Sequence, residues 1–124
     1  MIKGKKNTNT KGGAIRYSQG KMPWRLLPWD AMHEVVRVFQ AGCGKYAPRN
    51  WEEGLSFDET FDSMMRHATD WYMGEEWNKK DGNVHHLAQV IWNALVLLAF
   101  TLRGRKDLDD RPAYIRQRRR RVGR

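Results

Sequence analysis

Residues 81–102 form the most apolar stretch of the chain, and their few polar side chains follow one line. From Leu87 onward the stretch contains no glycine or proline, which favours a helix. At 100° per residue, His86, Gln89 and Asn93 fall within an arc of about 60°, and apolar residues occupy most of the remaining surface. The pattern predicts a helix buried in the core, whose polar stripe either satisfies its own hydrogen bonds or lines a pocket.

This apolar helix does not have the properties of a membrane span. The run from Leu87 to Leu102 has 16 residues, fewer than the roughly 20 that cross a bilayer, and it includes Gln89, Asn93 and Thr101. We therefore expect a core helix and no contact with a membrane.

A first helix is predicted from Pro28 or Asp30 to Ala41. Proline is tolerated at a helix start, Asp30 can cap the first turn, and Gly42 and Gly44 follow the expected end. Its apolar face contains Met32, Val35, Val36 and Phe39.

A second helix is predicted from Ser56 to a position before Gly74. Ser56 and Glu59 have the spacing of a capping box, in which each side chain bonds the backbone of the other. The predicted apolar side contains Phe61, Met64, Met65, Ala68 and Tyr72, and another side carries a charged row of Asp62, Arg66 and Asp70.

No internal repeat and no alternating pattern of strand length occur in the chain. The predicted class is therefore all-α, a small bundle of about four helices in one domain at residues 12–110. Residues 1–11 are predicted to be a flexible basic terminus, and residues 111–124 a basic tail or a short helix that starts near Asp110.

The formal net charge of +9 is concentrated at the two ends of the chain. Residues 1–21 carry six basic side chains and residues 111–124 carry seven arginines, with no acid in either segment. Residues 22–110 carry ten basic and fourteen acidic side chains, so the domain itself is mildly acidic. The arginine-rich end is typical of a solvated tail or a subunit contact, and weak binding to nucleic acid is the alternative.

The cysteine content and the N-terminus indicate a cytoplasmic protein. Cys43 is the only cysteine, which rules out an internal disulfide framework. The basic start is not followed by an apolar segment, so a secretory signal is not expected.

Two loops combine glycine with basic and polar side chains. Residues 12–23 contain three glycines together with Arg16 and Lys21, a composition that suits a phosphate. Residues 45–55 could hold a base and a phosphate, although their aromatic rings could instead pack on the core. The polar and aromatic side chains of this second loop are Lys45, Tyr46, Arg49, Asn50 and Trp51.

Acidic side chains are concentrated in residues 74–83, between the second helix and the apolar one. Glu75, Glu76 and Asp81 lie in this loop, and oxygen-rich loops can hold a hard cation such as Mg²⁺ with one or two carboxylates and the phosphates of a substrate. His67 lies near the boundary of the apolar side of the second helix, where a lone histidine is more often structural than a ligand.

Common catalytic motifs are absent from the sequence. It has no nucleophile elbow, no Walker loop and no dinucleotide-binding glycine motif, and one cysteine cannot build a cysteine-based zinc site. Helices that present carboxylates, histidines and an asparagine beside two basic loops suit metal-assisted attack of water on a phosphate.

Four motifs follow one another within residues 12–100: GGAIRYSQGKMPWRLLPWDAM, VFQAGCGKYAPRNWEEGL, RHATDWYMGEE and DGNVHHLAQVIWNALVLL. Together they resemble the phage-type dATP/dGTP diphosphohydrolases, relatives of the MazG-like all-α nucleotide pyrophosphohydrolases. The resemblance implies hydrolysis of a purine deoxynucleoside triphosphate to the monophosphate and pyrophosphate. It also implies dependence on Mg²⁺ or Mn²⁺ and a homo-oligomer, either a dimer or a tetramer.

The resemblance further implies roles for individual residues. Glu75 would be catalytic, and His67 or His86 would position the water that attacks the α-phosphorus. The cation would be held by Glu75, Asp81 and Asp62. Residues that would contact the nucleotide or its phosphates are Arg16, Lys21, Lys45, Tyr46, Asn50, Trp51, Arg66 and Asn93.

Three features depart from the pattern of these relatives. Asn78 stands where an aspartate is expected and Gln89 where a second histidine is expected, so a charge and a ligand are lost. The paired acidic motifs of MazG-type enzymes are also missing, because no E-x-x-E occurs. Two alternatives therefore remain: a protein that sequesters a nucleotide without hydrolysing it, and a small basic nucleic-acid-binding protein.

Overall fold

Three α-helices form the framework of the computed structural model, which describes residues 6–7 and 11–115. They are α1 (Trp29–Cys43), α2 (Phe57–Tyr72) and α3 (His86–Leu102). The predicted helical class is confirmed.

The helix boundaries follow local signals in the sequence. Ser56 caps α2, and its Oγ accepts the backbone N–H of Glu59 at 3.2 Å, as the capping spacing predicted. His85 caps α3 through Nδ1, which accepts the N–H of Leu87 at 3.0 Å. The first helix continues two residues beyond its predicted end at Ala41.

Two short antiparallel hairpins accompany the helices. Lys6–Asn7 (β1) pair with Arg16–Tyr17 (β2), and Trp77–Asn78 (β3) pair with Val84–His85 (β4). Each strand has two residues, too short to show the alternation from which strands are predicted. The β3–β4 hairpin joins α2 to α3 and thereby places the acidic loop beside the start of α3.

The apolar core lies between α2 and α3. Phe57 stacks on Phe100 with a ring-centroid distance of 6.4 Å, and Val96 completes the buried cluster. Partly buried residues surround it from the loop after α1, from α3 and from the C-terminal segment: Trp51, Leu55, Trp92, Leu97 and Leu108.

The buried face of α3 is its polar face, which corrects one expectation. His86, Gln89 and Asn93 are at most 7% exposed. The prediction that apolar residues around the rest of the helix lie in the core is wrong for four leucine and isoleucine residues, which are 37–53% exposed. Helices α1 and α2 cover one side of α3 and leave the other side open: Leu87, Ile91, Leu95 and Leu98.

The predicted apolar side of α2 is also partly exposed. Phe61, Met65 and Tyr72 are each at least 45% exposed. The contact with α3 instead begins with Phe57 and Thr60, which are buried. Periodicity identified an apolar side but not which part of it another helix covers.

The segment after α3 returns to the start of α2. Asp110 accepts the N–H of Asp58 at 2.8 Å and the hydroxyl proton of Ser56. Residues 113–115 are helical, and the rest of the predicted C-terminal tail or helix, residues 116–124, lies outside the described residues. Within the described part of the chain, no helix has the length and hydropathy of a membrane span.

Candidate active site

A cleft of about 760 Å³ opens between the end of α1, the loop that follows it, and α3. Its volume is in the range of small-molecule sites. Seven residues predicted to serve the site line this cleft: Lys45, Tyr46, Asn50, Trp51, His67, Asp81 and Asn93.

One wall of the cleft is the loop after α1. The carbonyl of Gly42 accepts the backbone N–H groups of both Lys45 and Tyr46, which turns the chain at the end of the helix. The Lys45 ammonium pairs with the Asp81 carboxylate of the β3–β4 hairpin, and this hydrogen bond raises the pKa of Lys45. The Lys45 ammonium is therefore paired with a carboxylate of the acidic loop.

The aromatic residues of this loop have different environments. Tyr46 is 59% exposed, so most of its ring is free to meet a ligand. Trp51 packs on Phe100 at 5.8 Å between ring centroids and beneath the Arg103 guanidinium at 5.2 Å. Trp51 thus packs the loop on the core, as one of the two alternatives predicted, and it also lines the cleft.

The opposite wall is an amide network on the buried face of α3. Asn78 donates from Nδ2 to Oε1 of Gln89 at 3.0 Å, and Asn93 donates to the backbone carbonyl of Gln89 at 2.8 Å. The polar stripe therefore satisfies part of its hydrogen bonding internally, and Gln89 and Asn93 still line the cleft. The two residues that depart from the family pattern, Asn78 and Gln89, are partners of each other.

Glu75, His86 and His67 form a continuous chain of contacts that reaches the cleft at His67. Glu75 Oε1 lies 2.9 Å from Nε2 of His86, and Nδ1 of His86 lies 3.0 Å from Nδ1 of His67. A carboxylate accepts, so the contact with Glu75 favours a proton on Nε2 of His86 and leaves a lone pair on its Nδ1. His86 also donates its backbone N–H to the carbonyl of Glu76 at 2.8 Å, which ties the start of α3 to the hairpin.

The environment of this chain shifts two pKa values. Burial lowers the pKa of His67, and the neighbouring His86 lowers it further. The hydrogen bond from His86 lowers the pKa of the Glu75 carboxyl. At neutral pH, Glu75 is therefore ionised and His67 is neutral, with a ring nitrogen available as an acceptor or ligand.

The described residues contain one group of three side chains suited to a metal ion: His67, Asp70 and His86, whose ligand atoms all lie within 4.8 Å of one another. Asp70 was not predicted as a ligand. Its spacing from His67 was the available signal, because residues three apart share a face of a helix. The contribution of His86 depends on how α2 packs on α3 and cannot be read from either helix alone.

The three carboxylates predicted to hold the cation are not brought together. Asp81 pairs with Lys45, and Glu75 contacts His86. Asp62 lines a separate depression of about 410 Å³ on α2, together with Arg66 and Asp70. Arg16 and Lys21 are exposed on the N-terminal segment and do not line the cleft.

A divalent cation, which the family resemblance implies, fits the residues that are present. Imidazole nitrogens and a carboxylate oxygen are good ligands, and a second carboxylate, Glu75, orients one imidazole. The donor set His67, Asp70 and His86 therefore replaces the predicted all-carboxylate set as the candidate metal site.

The described residues form an all-α protein with a cleft lined by a lysine, an exposed tyrosine, amides and His67, which contacts the buried His86. The family model for the N-terminal region of dATP/dGTP diphosphohydrolases matches residues 11–111, and the chain belongs to this family. The resemblance drawn from the four motifs is thus confirmed.

The chain is similar to a curated dATP/dGTP diphosphohydrolase of Salmonella phage PMBT28, with 31% identity over 97 residues. The match covers 78% of this chain and 32% of the relative, so the chain spans about a third of the length of that protein. No solved structure matches the chain.

Proposed function

We propose that the chain hydrolyses dATP and dGTP to the deoxynucleoside monophosphate and pyrophosphate, with the help of Mg²⁺ or Mn²⁺. The observation that carries the proposal is that Lys45, Tyr46 and His67 line one cleft, and that His67 contacts His86, which is held by Glu75. Family membership supports the same chemistry.

The triphosphate would lie between Lys45 and the histidine end of the cleft. Lys45 neutralises phosphate charge, and its present partner Asp81 has to give way when phosphate oxygens arrive. The cation site on His67, Asp70 and His86 would approach the phosphates through His67, which lines the cleft. Positive charge from the lysine and from the cation suits a transition state in which charge spreads over phosphate oxygens.

The base would lie against the aromatic wall. Tyr46 offers an exposed ring for stacking, and Asn50 beside Trp51 offers an amide that can both donate and accept hydrogen bonds. Asn93 projects from α3 into the same space. Purine preference would then depend on which of these groups meets the edge of the base.

In the proposed reaction, a water oxygen forms a bond to the α-phosphorus, and the bond from that phosphorus to the α,β-bridging oxygen breaks. The electron pair leaves with pyrophosphate, and the water contributes its oxygen to the monophosphate and releases a proton. A bound divalent cation would supply charge neutralisation and would lower the pKa of the attacking water. Glu75 serves the reaction by holding His86 in one orientation.

A second function, sequestration of a nucleotide without hydrolysis, is favoured by the Asn78–Gln89 contact. This neutral amide pair occupies positions where an acid and an imidazole are expected. A sequestering protein would be stabilised by nucleotide in the presence of EDTA, whereas an enzyme that holds the triphosphate through a cation would lose most of this thermal shift.

We also propose that the chain assembles with copies of itself through the open side of α3. Four large apolar side chains on this helix are exposed, and monomeric proteins seldom expose an apolar surface of this extent. The basic segment at residues 111–124 was predicted to be a solvated tail, a subunit contact or a weak nucleic-acid contact, and its residues 116–124 lie outside the described residues.

The experiment that tests the proposed function is product analysis. The protein is incubated with each of the four deoxynucleoside triphosphates and Mg²⁺ or Mn²⁺, and the products are separated by anion exchange. The proposal requires that dATP and dGTP each yield one pyrophosphate for every deoxynucleoside monophosphate. Release of inorganic phosphate and a deoxynucleoside diphosphate would overturn the proposal. Absence of turnover, although the nucleotide binds, would also overturn it.

A further inference from the structure

We propose that His67, Asp70 and His86 bind one divalent cation of the class that accepts imidazole nitrogen, such as Mn²⁺ or Co²⁺, in preference to Mg²⁺. The inference deepens the proposed function by naming the cation class of its site. The use of the cation in hydrolysis rests on the proposed function. The arrangement of the three ligand side chains does not depend on it.

The donor set determines the class of cation. Two ring nitrogens and one carboxylate oxygen converge within 4.8 Å of one another. Mg²⁺ prefers oxygen ligands only, whereas Mn²⁺, Co²⁺ and Zn²⁺ accept imidazole readily. The three carboxylates of the all-oxygen set that would suit Mg²⁺ do not form a ligand group among the described residues, and Asp81 pairs with Lys45.

The distance between the two histidines matches that of two ligands on one ion. Two nitrogens that lie at right angles, each about 2.1 Å from one cation, are about 3.0 Å apart. The Nδ1 atoms of His67 and His86 are separated by 3.0 Å. A bound cation would replace this hydrogen bond: His67 would carry its proton on Nε2, and each ring would turn to aim its Nδ1 lone pair at the ion.

Glu75 supplies a second, independent feature of a metal site. Metal-binding histidines commonly donate the other ring N–H to a carboxylate, which fixes the tautomer and the ring orientation. Glu75 accepts from Nε2 of His86 at 2.9 Å, and His86 is 1% exposed, so its Nδ1 lone pair is aimed at His67. Glu75 is therefore a positioning residue, because it holds the His86 ring and is not one of the three grouped ligands.

The site is open on one side. Asp70 is exposed and His67 lines the cleft, so three protein ligands leave positions on the ion for water and phosphate oxygens. A cation held here would meet the triphosphate where His67 lines the cleft.

The test measures metal binding without nucleotide. Mn²⁺ binding is counted by the loss of the free-ion electron paramagnetic resonance signal, and Mg²⁺ is then added as a competitor. We expect one bound Mn²⁺ per chain, and Mg²⁺ affinity lower by about a factor of ten or more. Asp70→Asn and His67→Gln should each lower Mn²⁺ affinity at least about tenfold, and Glu75→Gln should lower it about 10- to 100-fold.

Asp62→Asn is the matched control, because Asp62 is an exposed carboxylate on the same helix and belongs to the predicted all-oxygen set. It should leave Mn²⁺ binding unchanged. Asp70 is exposed, so we expect Asp70→Asn to fold normally. This variant tests the site even if His67→Gln fails to fold.

Equal affinity for Mg²⁺ and Mn²⁺, loss of binding in Asp62→Asn but not in Asp70→Asn, or no bound Mn²⁺ would overturn the inference. Because nucleotide is absent, these outcomes are separate from a failure of the proposed hydrolysis. An enzyme that turns over dATP with Mg²⁺ alone would keep the function and reject this site.

Discussion

The Nδ1 atoms of His67 and His86 lie 3.0 Å apart, although His67 lies in the second half of α2 and His86 is the first residue of α3. Their meeting is set by the packing of the two helices and by the β3–β4 hairpin, which returns the chain to the side of α2. The chemistry of the cleft therefore depends on the same contacts that hold the fold together.

Tyr46→Leu should weaken nucleotide binding with little effect on the chemical step. The exposed ring lines the cleft, and stacking of a base on an aromatic side chain contributes about 1–3 kcal/mol. We expect KM for dATP to rise about fivefold or more at unchanged kcat. Tyr114→Leu, at an exposed tyrosine that does not line the cleft, should leave both constants unchanged.

Asp81→Asn should strengthen nucleotide binding, because it frees Lys45 from its carboxylate partner. Exposed ion pairs of this kind are worth little, so the expected fall in KM is about two- to fivefold. Lys45→Met should raise KM instead. Titration calorimetry with a non-hydrolysable dATP analogue measures both affinities. A marked loss of affinity in Asp81→Asn would show that Asp81 contacts the cation or the nucleotide, contrary to this account.

Asp110→Ala should destabilise the protein at neutral pH and have little effect in acid. Hydrogen bonds from the Ser56 hydroxyl and from the N–H of Asp58 lower the pKa of Asp110 in the folded state. The resulting stability is present above the unfolded pKa of about 3.9 and is lost as pH falls through the folded value. Thermal unfolding at pH 7 and at pH 3 compares wild type with the variant.

The matched controls for this effect lie at the same helix start. Asp58→Ala removes an exposed acid from the first turn of α2 but keeps the N–H that Asp110 accepts, so its effect at pH 7 should be smaller. Ser56→Ala removes the cap itself and should cost about 1 kcal/mol. An equal loss in Asp58→Ala and Asp110→Ala would mean that charge near the helix, and not the tertiary contact, is responsible.

Leu98→Lys should convert the proposed oligomer to a monomer. Leu98 is 53% exposed on the open side of α3, and a buried lysine without a partner is strongly unfavourable in an interface. Light scattering coupled to size exclusion gives the mass of each species. Val36→Lys, at a residue 60% exposed on α1, is the control and should keep the wild-type mass. A monomeric wild type would contradict the proposed assembly.

Local features of the site were predictable from the sequence. Helix geometry alone placed His86, Gln89 and Asn93 on one face, and they are buried together. Lys45 and Tyr46 were predicted as one group because they are neighbours in one loop, and both line the cleft.

Features that depend on packing between elements were not predictable. Asp70 approaches His86 only because α2 lies against α3, and periodicity within one helix has no information on that approach. For the same reason, the exposure of Leu98 and Phe61 differed from expectation, since an apolar face is buried only where another element covers it. The position of Arg16 depends on where the N-terminal hairpin lies, which composition cannot determine.

Hydrolysis in water enriched in ¹⁸O tests the central claim most directly. The protein is incubated with dATP and Mn²⁺ in this water, and the products are analysed by mass spectrometry. Attack at the α-phosphorus predicts one ¹⁸O atom in dAMP and none in pyrophosphate. Label in pyrophosphate, the formation of dADP and phosphate, or the recovery of intact dATP would contradict the account.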